Sequence, residues 1–160
     1  MTHAQREVLA YLVETLNAAD IPFQISGGLA AICHGATRPL FDIDLDIRAC
    51  DATKVRALYS AHVQLDWHRC AGPDEIFELW LMTLSIQGVP VDISQSEDSY
   101  VFDSARRRVP LSDTLDAEFL TIDGLLLPVQ RKQALLAYKR IAARDTDLLD
   151  IAELITQRPR

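Results

Sequence analysis

The chain has 160 residues, of which 49% are hydrophobic and 24% charged, with a formal net charge of −7. This composition is typical of a globular protein with one core, and no apolar run approaches the roughly 18 residues of a membrane span. The negative charge disfavours duplex DNA as a partner, and the polar start MTHAQRE is unlike a signal peptide, so we expect a cytoplasmic protein without membrane contacts.

Apolar periodicity and turn residues predict alternating helices and strands along the whole chain. Thr2 and Gln5 can form a capping box for the first helix, and in the last helix Leu148, Ala152 and Ile155 repeat with the spacing of a core-facing stripe. In chain order, the predicted elements are a helix over 3–19, a strand over 23–26, a helix over 28–35, a strand over 41–47, a helix over 52–61, strands over 63–69, 77–87 and 89–94, a helix over 97–105, strands over 118–122 and 125–129, and helices over 130–143 and 146–157.

The most informative pattern is an acidic strand that follows the glycine pair Gly27 and Gly28 after thirteen residues. Its sequence FDIDLDI alternates Asp42, Asp44 and Asp46 with aliphatic residues, so the three carboxylates share one face of the strand. Like charges at this spacing repel each other, and a divalent cation is their natural counter-charge. Glycine at the preceding turn accepts a positive φ and lets a phosphate approach backbone amides.

Asp92 is a second carboxylate on an apolar strand. It is the only acidic residue in the predicted strand 89–94, between Val91 and Ile93. Burial of a lone carboxylate is costly unless a cation compensates it. A solvent-facing edge strand would explain Asp92 equally well by itself, but the acidic strand nearby favours a shared metal site.

The stretch ISGGLAAICHGATRPLFDIDLDI and Asp92 resemble the nucleotidyltransferase superfamily that includes DNA polymerase β. The motif of that superfamily is a Gly-Gly or Gly-Ser turn, an acidic-hydrophobic-acidic strand and a third carboxylate on a later strand. Arg38 and the segment KRIAARDTDLLDIAEL are similar to a small bacterial branch, which contains lincosamide and aminoglycoside nucleotidyltransferases and AbiEii-type toxin nucleotidyltransferases. Leu40 departs from the toxin-like members, which usually carry Ser or Thr there, so the subfamily stays open.

This resemblance implies an α/β (α+β) architecture, the nucleotidyltransferase fold, with a short mixed β-sheet flanked by helices and further helices at the C-terminal end. We expect a single domain over residues 1–160. Its core would cover about 20–95, and its C-terminal helical part about 128–157.

The resemblance also implies Mg²⁺-dependent transfer of a nucleoside monophosphate from a nucleoside triphosphate to a hydroxyl acceptor, with release of pyrophosphate. Asp42 and Asp44 would bind one of two Mg²⁺ ions against the triphosphate. Asp92 would complete the second metal site or take the proton from the acceptor hydroxyl. The backbone at Gly27 and Gly28 would bind the terminal phosphates.

Other charged residues have more than one explanation. Arg38 contacts phosphate or anchors its own loop. Lys139 lies at the border of the apolar stripe of the penultimate helix, where it binds the triphosphate or is a surface lysine. Asp46 binds the acceptor, binds metal, or ends the strand in solvent. Asp145 and Asp147 occupy positions where aspartate caps a helix, so we expect no catalytic role for them.

Basic residues are concentrated late in the chain. Residues 105–144 contain eight Lys and Arg against four Asp and Glu, an arrangement that suits a nucleoside triphosphate or the end of an RNA. The densest run, Arg106–Arg108, is better explained as a solvated surface turn than as a substrate clamp.

The sequence does not choose the acceptor, because fold and motif do not fix it. An antibiotic-like small molecule and an RNA or protein, as in toxin–antitoxin systems, both fit. A cognate antitoxin or a second copy of the chain is the candidate partner. The alternative function is a catalytically inactive nucleotide-binding or partner-binding module of the same fold, against which the intact Asp42, Asp44 and Asp92 argue.

Overall fold

The computed structural model describes residues 1–112 and 115–156, in which nine strands form one mixed sheet accompanied by five α-helices. The helices are α1 (His3–Ala18), α2 (Gly27–Cys33), α3 (Ala52–Leu58), α4 (Lys132–Ala142) and α5 (Asp145–Thr156). The strands are β1 (Phe23–Ile25), β2 (Ile43–Ile47), β3 (Val63–Cys70), β4 (Phe77–Ile86), β5 (Val89–Gln95), β6 (Tyr100–Phe102), β7 (Arg108–Pro110), β8 (Ala117–Ile122) and β9 (Leu125–Gln130). Residue 157 of the last predicted helix lies outside the described residues.

The acidic strand lies at the centre of the sheet. Its neighbours are β5, to which it runs parallel, and β1, to which it runs antiparallel. The sheet continues from β5 to β4 and β3 on one side, and from β1 to β9 and β8 on the other. The first residues of β4 pair with β6, which pairs with β7. Every second side chain of β2 and every second side chain of β5 therefore project from the same face of the sheet.

The hydrophobic core covers the other face of these central strands. Aliphatic side chains of α1, β2 and β5 form its centre, and each of the following is 0% exposed: Val8, Leu9, Leu12, Leu16, Ile43, Leu45, Ile47, Val91 and Ile93. Full burial of one such side chain stabilises the fold by about 1.5–3 kcal/mol. The core thus fixes which face of β2 and β5 carries the aspartates, since a register slip by one residue would bury them instead.

Local sequence signals predicted several elements well. The capping box at the start of α1 is present, because Thr2 Oγ1 accepts from the Gln5 amide and Gln5 Oε1 accepts from the Thr2 amide. The hairpin between β4 and β5 turns at Gln87 and Gly88, whose φ values of 51° and 78° are typical of a two-residue hairpin turn.

The predicted helix over 97–105 was wrong. Tyr100–Phe102 form β6 instead, since Val101 is buried and pairs with Phe77 of β4. The chain then turns, because the Asp103 carboxylate accepts hydrogen bonds from the backbone amides of Ala105 and Arg107. An aspartate that binds amides further along the chain competes with helix formation in this way.

The predicted inward face of the last helix was also wrong. Leu148 and Ile155 are 53% and 58% exposed, and Ala152 is exposed as well. The buried face of α5 instead carries Asp147 and Asp150, both 0% exposed, together with Leu154. The apolar period was real, but it marks the outer side of the helix, since ion pairs and not aliphatic contacts hold most of the inner side.

No helix in the described ranges is long and apolar enough to cross a lipid bilayer.

Candidate functional site

A cleft of about 430 Å³ lies over the polar face of β2 and β5. The strands supply its floor, and cationic side chains from the loop before β2 (Arg38), from α4 (Lys139) and from the turn between α4 and α5 (Arg144) contribute to its wall. All eight residues that the sequence analysis assigned to nucleotide, metal or acceptor binding line this cleft: Gly27, Gly28, Arg38, Asp42, Asp44, Asp46, Asp92 and Lys139.

Three of the carboxylates converge. Asp44 and Asp92 are direct neighbours in the parallel register of β2 and β5, and Asp42 precedes β2 on the same face. One oxygen from each of the three lies within 4.8 Å of the others. The Gly28 amide donates to Asp44 Oδ2 over 3.3 Å, and Thr83 Oγ1 donates to Asp92 Oδ1 over 2.8 Å. None of the ion pairs formed among residues 1–112 and 115–156 includes these carboxylates.

Burial raises the proton affinity of two of these carboxylates, Asp44 and Asp92. Burial, reinforced by the negative charge of Asp42 and against the Gly28 hydrogen bond, raises the pKa of Asp44 to about 7. Burial also raises the pKa of Asp92, although the hydrogen bond from Thr83 opposes it. Three adjacent carboxylates with free oxygen lone pairs match the hard oxygen ligands that Mg²⁺ prefers. The residues present therefore fit a divalent metal.

Asp46 differs from the other three aspartates because neutral donors satisfy its carboxylate. Its oxygens accept from Gln24 Nε2 at 2.8 Å, Ser26 Oγ at 2.9 Å and Ser94 Oγ at 2.8 Å. These hydrogen bonds oppose burial, which still raises the pKa of Asp46. It is thus not a solvated strand end, but a carboxylate that joins β1, the start of α2 and β5.

These three hydrogen-bond donors were not predicted from the sequence. Gln24 and Ser26 lie two residues apart at the end of β1, and Ser94 lies two residues after Asp92. The same two-residue period that identified the acidic face would have placed them on it. Their chemistry gave no signal, since serine and glutamine are common at strand ends.

The glycine turn is built closely around Asp44. Gly27 has φ +57°, and a Cβ added there would lie 1.8 Å from Asp44 Oδ2. A Cβ on Gly28 would lie 2.6 Å from Nη2 of Arg38. The two glycines therefore let one carboxylate and one guanidinium approach the same turn closely.

An ion network around the buried Lys139, Asp147 and Asp150 forms the cationic wall of the cleft. Lys139 is 1% exposed, which excludes the surface-lysine alternative, and its Nζ lies 2.9 Å from both Asp147 and Asp150. Arg38 donates to both oxygens of Asp150, from Nε at 2.6 Å and from Nη2 at 3.1 Å. Arg144 donates to both oxygens of Asp147.

Asp147 does cap α5, as its position predicted, because it accepts a hydrogen bond from the Arg144 amide over 3.2 Å. It is also the buried counter-ion of two cations, which the sequence analysis did not foresee. Burial would raise its pKa, but the hydrogen bonds from Arg144 and Lys139 lower the pKa of Asp147 below its ordinary value. The available signal was the spacing of Asp147, Asp150 and Glu153, since residues three apart share one face of a helix.

The arginine run is outside the cleft lining. Each of the three side chains is exposed and contacts nearby carbonyl or carboxylate oxygens: Arg106 those of Gly72 and Glu75, Arg107 that of Asp103, and Arg108 that of Glu78.

Leu40 is buried, and its carbonyl accepts from Gln5 Nε2 at 2.9 Å, so α1 holds the loop that carries Arg38.

The raised pKa of Asp44 predicts that the metal-free protein loses stability as pH rises. The folded state keeps the Asp44 proton up to about pH 7, whereas an unperturbed carboxyl has a pKa of 3.8, so folding becomes less favourable between these values. In chelator, we expect the free energy of unfolding to fall by about 1–3 kcal/mol from pH 5 to pH 8, as urea titrations would measure. Asp44→Asn should flatten this profile, and Asp74→Asn, at an exposed position outside the cleft lining, should leave it unchanged. A wild-type profile that rises over this range would contradict the prediction.

The packing at Gly27 predicts a selective loss of binding in Gly27→Ala. The matched control is Gly88→Ala, because Gly88 also has a positive φ, of +78°, but has no atom within 4 Å of an added Cβ. Both variants should lose roughly 1–2 kcal/mol of stability from the left-handed backbone. Only Gly27→Ala should displace the Asp44 carboxylate and abolish Mg²⁺-dependent thermal stabilisation by ATP. If ATP with Mg²⁺ stabilised both variants equally against heat, the close approach of Gly27 to Asp44 would have no role in nucleotide binding.

Comparisons with known proteins agree with this geometry. The family model described as aminoglycoside-2''-adenylyltransferase matches residues 8–154. Among solved structures, a candidate nucleotidyltransferase from Thermotoga maritima superimposes with a TM-score of 0.74 at 17% identity, over 99% of this chain and 97% of that one. The lincosamide antibiotic adenylyltransferase LnuA, solved with lincomycin, gives 0.62 at 17% identity, over 92% and 94%. ANT(2'')-Ia, solved with adenylyl-2''-tobramycin, gives 0.62 at 14% identity, over 95% and 88%.

A search of curated proteins gave no match. The similar structures share the mixed sheet and the flanking helices, which confirms the predicted nucleotidyltransferase fold. The family model covers nearly the whole chain, including the glycine turn, the acidic strand, Asp92, α4 and most of α5. The chain therefore belongs to the aminoglycoside-2''-adenylyltransferase family and is a nucleotidyltransferase that uses a nucleotide substrate.

Proposed function

We propose that the cleft catalyses Mg²⁺-dependent transfer of a nucleoside monophosphate from a nucleoside triphosphate to a hydroxyl group of an antibiotic-like small molecule, with release of pyrophosphate. The observation that carries this proposal is the arrangement of charge. Three carboxylates without ion-pair partners among the described residues lie in the same cleft as three cations, Arg38, Lys139 and Arg144. A polyanion with bound metal complements both groups.

Asp42, Asp44 and Asp92 are the proposed metal ligands, since their oxygens converge within 4.8 Å. Divalent ions bound there would supply positive charge to the attacking and leaving oxygens of the transfer reaction. The hydrogen bonds from Gly28 to Asp44 and from Thr83 to Asp92 orient two of the three carboxylates.

Asp92 is also the proposed base for the acceptor hydroxyl. Burial raises its pKa, so it is a stronger base than an ordinary carboxylate. Because Thr83 donates to its Oδ1, Oδ2 is the oxygen better placed to take a proton. The two roles, second-site metal ligand and base, predict different mutant behaviour.

The triphosphate is proposed to lie between the glycine turn and the cationic wall. Gly27 and Gly28 have no side chains to block approach to the backbone. The lysine ammonium has three donors, of which Asp147 and Asp150 use two, so one N–H of Lys139 remains for a phosphate oxygen. The guanidinium of Arg38 lies directly over Gly28, which supports phosphate contact and loop anchoring together.

Asp46 and the serine residues beside it are proposed to contact the acceptor. The family description and the antibiotics bound by LnuA and ANT(2'')-Ia favour an antibiotic-like acceptor. Transfer to RNA or protein, and pairing with an antitoxin or a second copy of the chain, remain predictions from sequence. A screen of labelled nucleoside triphosphates with Mg²⁺ against lincosamides, aminoglycosides, RNA and protein would decide between these acceptors. If no acceptor of these four classes became labelled, the proposed transfer reaction would be wrong.

We predict that nucleotide binding depends on metal and on the strand carboxylates. The double variant Asp42→Asn/Asp44→Asn should lose Mg²⁺-dependent stabilisation by ATP, because two of three ligand charges are gone. Without metal it should be at least as stable as wild type, since repulsion between the carboxylates is relieved. Calorimetry measures both effects, with Asp74→Asn as the control for a lost surface charge. Undiminished metal-dependent ATP binding by the double variant would disprove the metal site.

We predict that Asp92→Asn separates binding from transfer. If Asp92 is the base, ATP affinity should remain close to that of wild type, while pyrophosphate release with a competent acceptor falls by about 10²–10⁴. Parallel loss of binding and turnover would instead identify Asp92 as a ligand of the nucleotide-side metal. Thr83→Val, which removes only the hydrogen bond to Asp92, should cost much less activity than Asp92→Asn. Unchanged turnover in Asp92→Asn would exclude both roles.

A further inference from the structure

Asp150 occupies a position in the fold that neither the metal site nor the cap of α5 explains. It lies one helical turn after Asp147 on the buried face of α5 and is 0% exposed. Its Oδ1 accepts from Arg38 Nε at 2.6 Å, and its Oδ2 lies 3.1 Å from Arg38 Nη2 and 2.9 Å from Lys139 Nζ. One carboxylate thus joins two cations that both line the cleft.

The two cations come from distant parts of the chain. Arg38 lies on the loop between α2 and β2, Lys139 lies on α4, and Arg38 is 112 residues from Asp150 in sequence. A bidentate carboxylate fixes both the position and the plane of a guanidinium. The plane that Asp150 imposes places Nη2 of Arg38 over Gly28, whose amide in turn donates to Asp44. Contacts therefore lead from α5 to the metal-facing carboxylates.

Stability alone is a weak reason for this arrangement. Removal of two charges from water costs several kcal/mol per ion, and well-packed apolar residues often stabilise a core as well as or better than a buried ion pair. The network also does not neutralise itself, since Arg38, Lys139 and Arg144 carry three positive charges against two on Asp147 and Asp150. The remaining charge faces a cleft that also contains the metal-type carboxylates.

We propose that Asp150 is a positioning residue for the transfer reaction, which holds Arg38 and Lys139 at the spacing that the triphosphate requires. This inference rests on the proposed function. Asp150 does not contact the nucleotide itself, and its effect passes through the two cations.

Glu153 provides a matched control. It lies one further turn along α5 and accepts hydrogen bonds from the amide and hydroxyl of Thr37, the residue before Arg38. Both carboxylates therefore attach α5 to the same loop. Of these two carboxylates only Asp150 contacts cations of the cleft wall, so Glu153→Gln, which loses one of the two acceptor oxygens, weakens the attachment without freeing a cation.

The test compares Asp150→Asn with Glu153→Gln by calorimetric titration of the full chain with ATP and Mg²⁺, at a temperature where circular dichroism shows both variants folded. We expect the Kd for ATP to rise at least tenfold in Asp150→Asn and to stay within twofold of wild type in Glu153→Gln. Both variants should show a lowered Tm. A purely structural role would lower Tm without changing the Kd of the folded protein.

A double-variant cycle with Arg38→Gln tests the route of the effect. If Asp150 acts in part through Arg38, Asp150→Asn should weaken ATP binding by a clearly smaller factor in the Arg38→Gln background than in wild type, and the remaining effect should pass through Lys139. Should Asp150→Asn fail to fold, Asp150→Glu keeps the charge but moves the carboxylate by one methylene, and at least threefold weaker binding would support the proposal.

Wild-type or tighter affinity in the folded Asp150 variant, or fully additive effects in the cycle, would overturn the positioning role while leaving the proposed function intact. Absence of Mg²⁺-dependent binding of ATP, GTP, CTP and UTP alike by the wild-type chain would overturn both.

Discussion

Repulsion among Asp42, Asp44 and Asp92 is the constraint on which the rest of this structure depends. Adjacent strands lie about 4.8 Å apart, so the parallel register of Asp44 and Asp92 places two carboxylates closer together than two free negative charges would lie in water. The apolar face of the same strands prevents escape, because any slip that separated the aspartates would expose aliphatic residues that are now fully buried. Folding energy from the core thus maintains an electrostatic arrangement that is unfavourable by itself.

The nearby cations do not form ion pairs with these aspartates, because they are paired with the acidic face of α5. Asp147 and Asp150 engage Lys139, Arg38 and Arg144 within hydrogen-bonding distance. A lysine or arginine already paired in this way has less to gain from a second carboxylate across the cleft. Acidic and basic groups consequently remain separate in one cavity, which leaves the first group available to the proposed metal and the second to the proposed triphosphate.

The acidic face was predictable from the sequence, because the alternation of side chains along a strand depends only on local backbone geometry and not on distant contacts. Contacts remote in sequence were not predictable in this way. The period of Leu148, Ala152 and Ile155 correctly indicated a helix, but not its orientation, because the partner of its inner face is Arg38 on a loop more than one hundred residues earlier. The error at 97–105 has a similar origin, since β6 pairs with the start of β4, where Val101 lies opposite Phe77, a residue remote in sequence.

The position of Asp150 makes the C-terminal helices part of the cleft and not an independent appendage. An appended helical pair would pack on the sheet through apolar contacts, and its docking would be independent of what the cleft contains. Here α5 presents its apolar side to solvent and its acidic side to the loop before β2, so the same ion pairs hold the helix and shape the cleft. A ligand that alters the charge felt by Arg38 and Lys139 must therefore alter how firmly α5 is held. Ligand binding in the cleft and docking of the last helix are thermodynamically linked, because both involve the same two cations, Arg38 and Lys139.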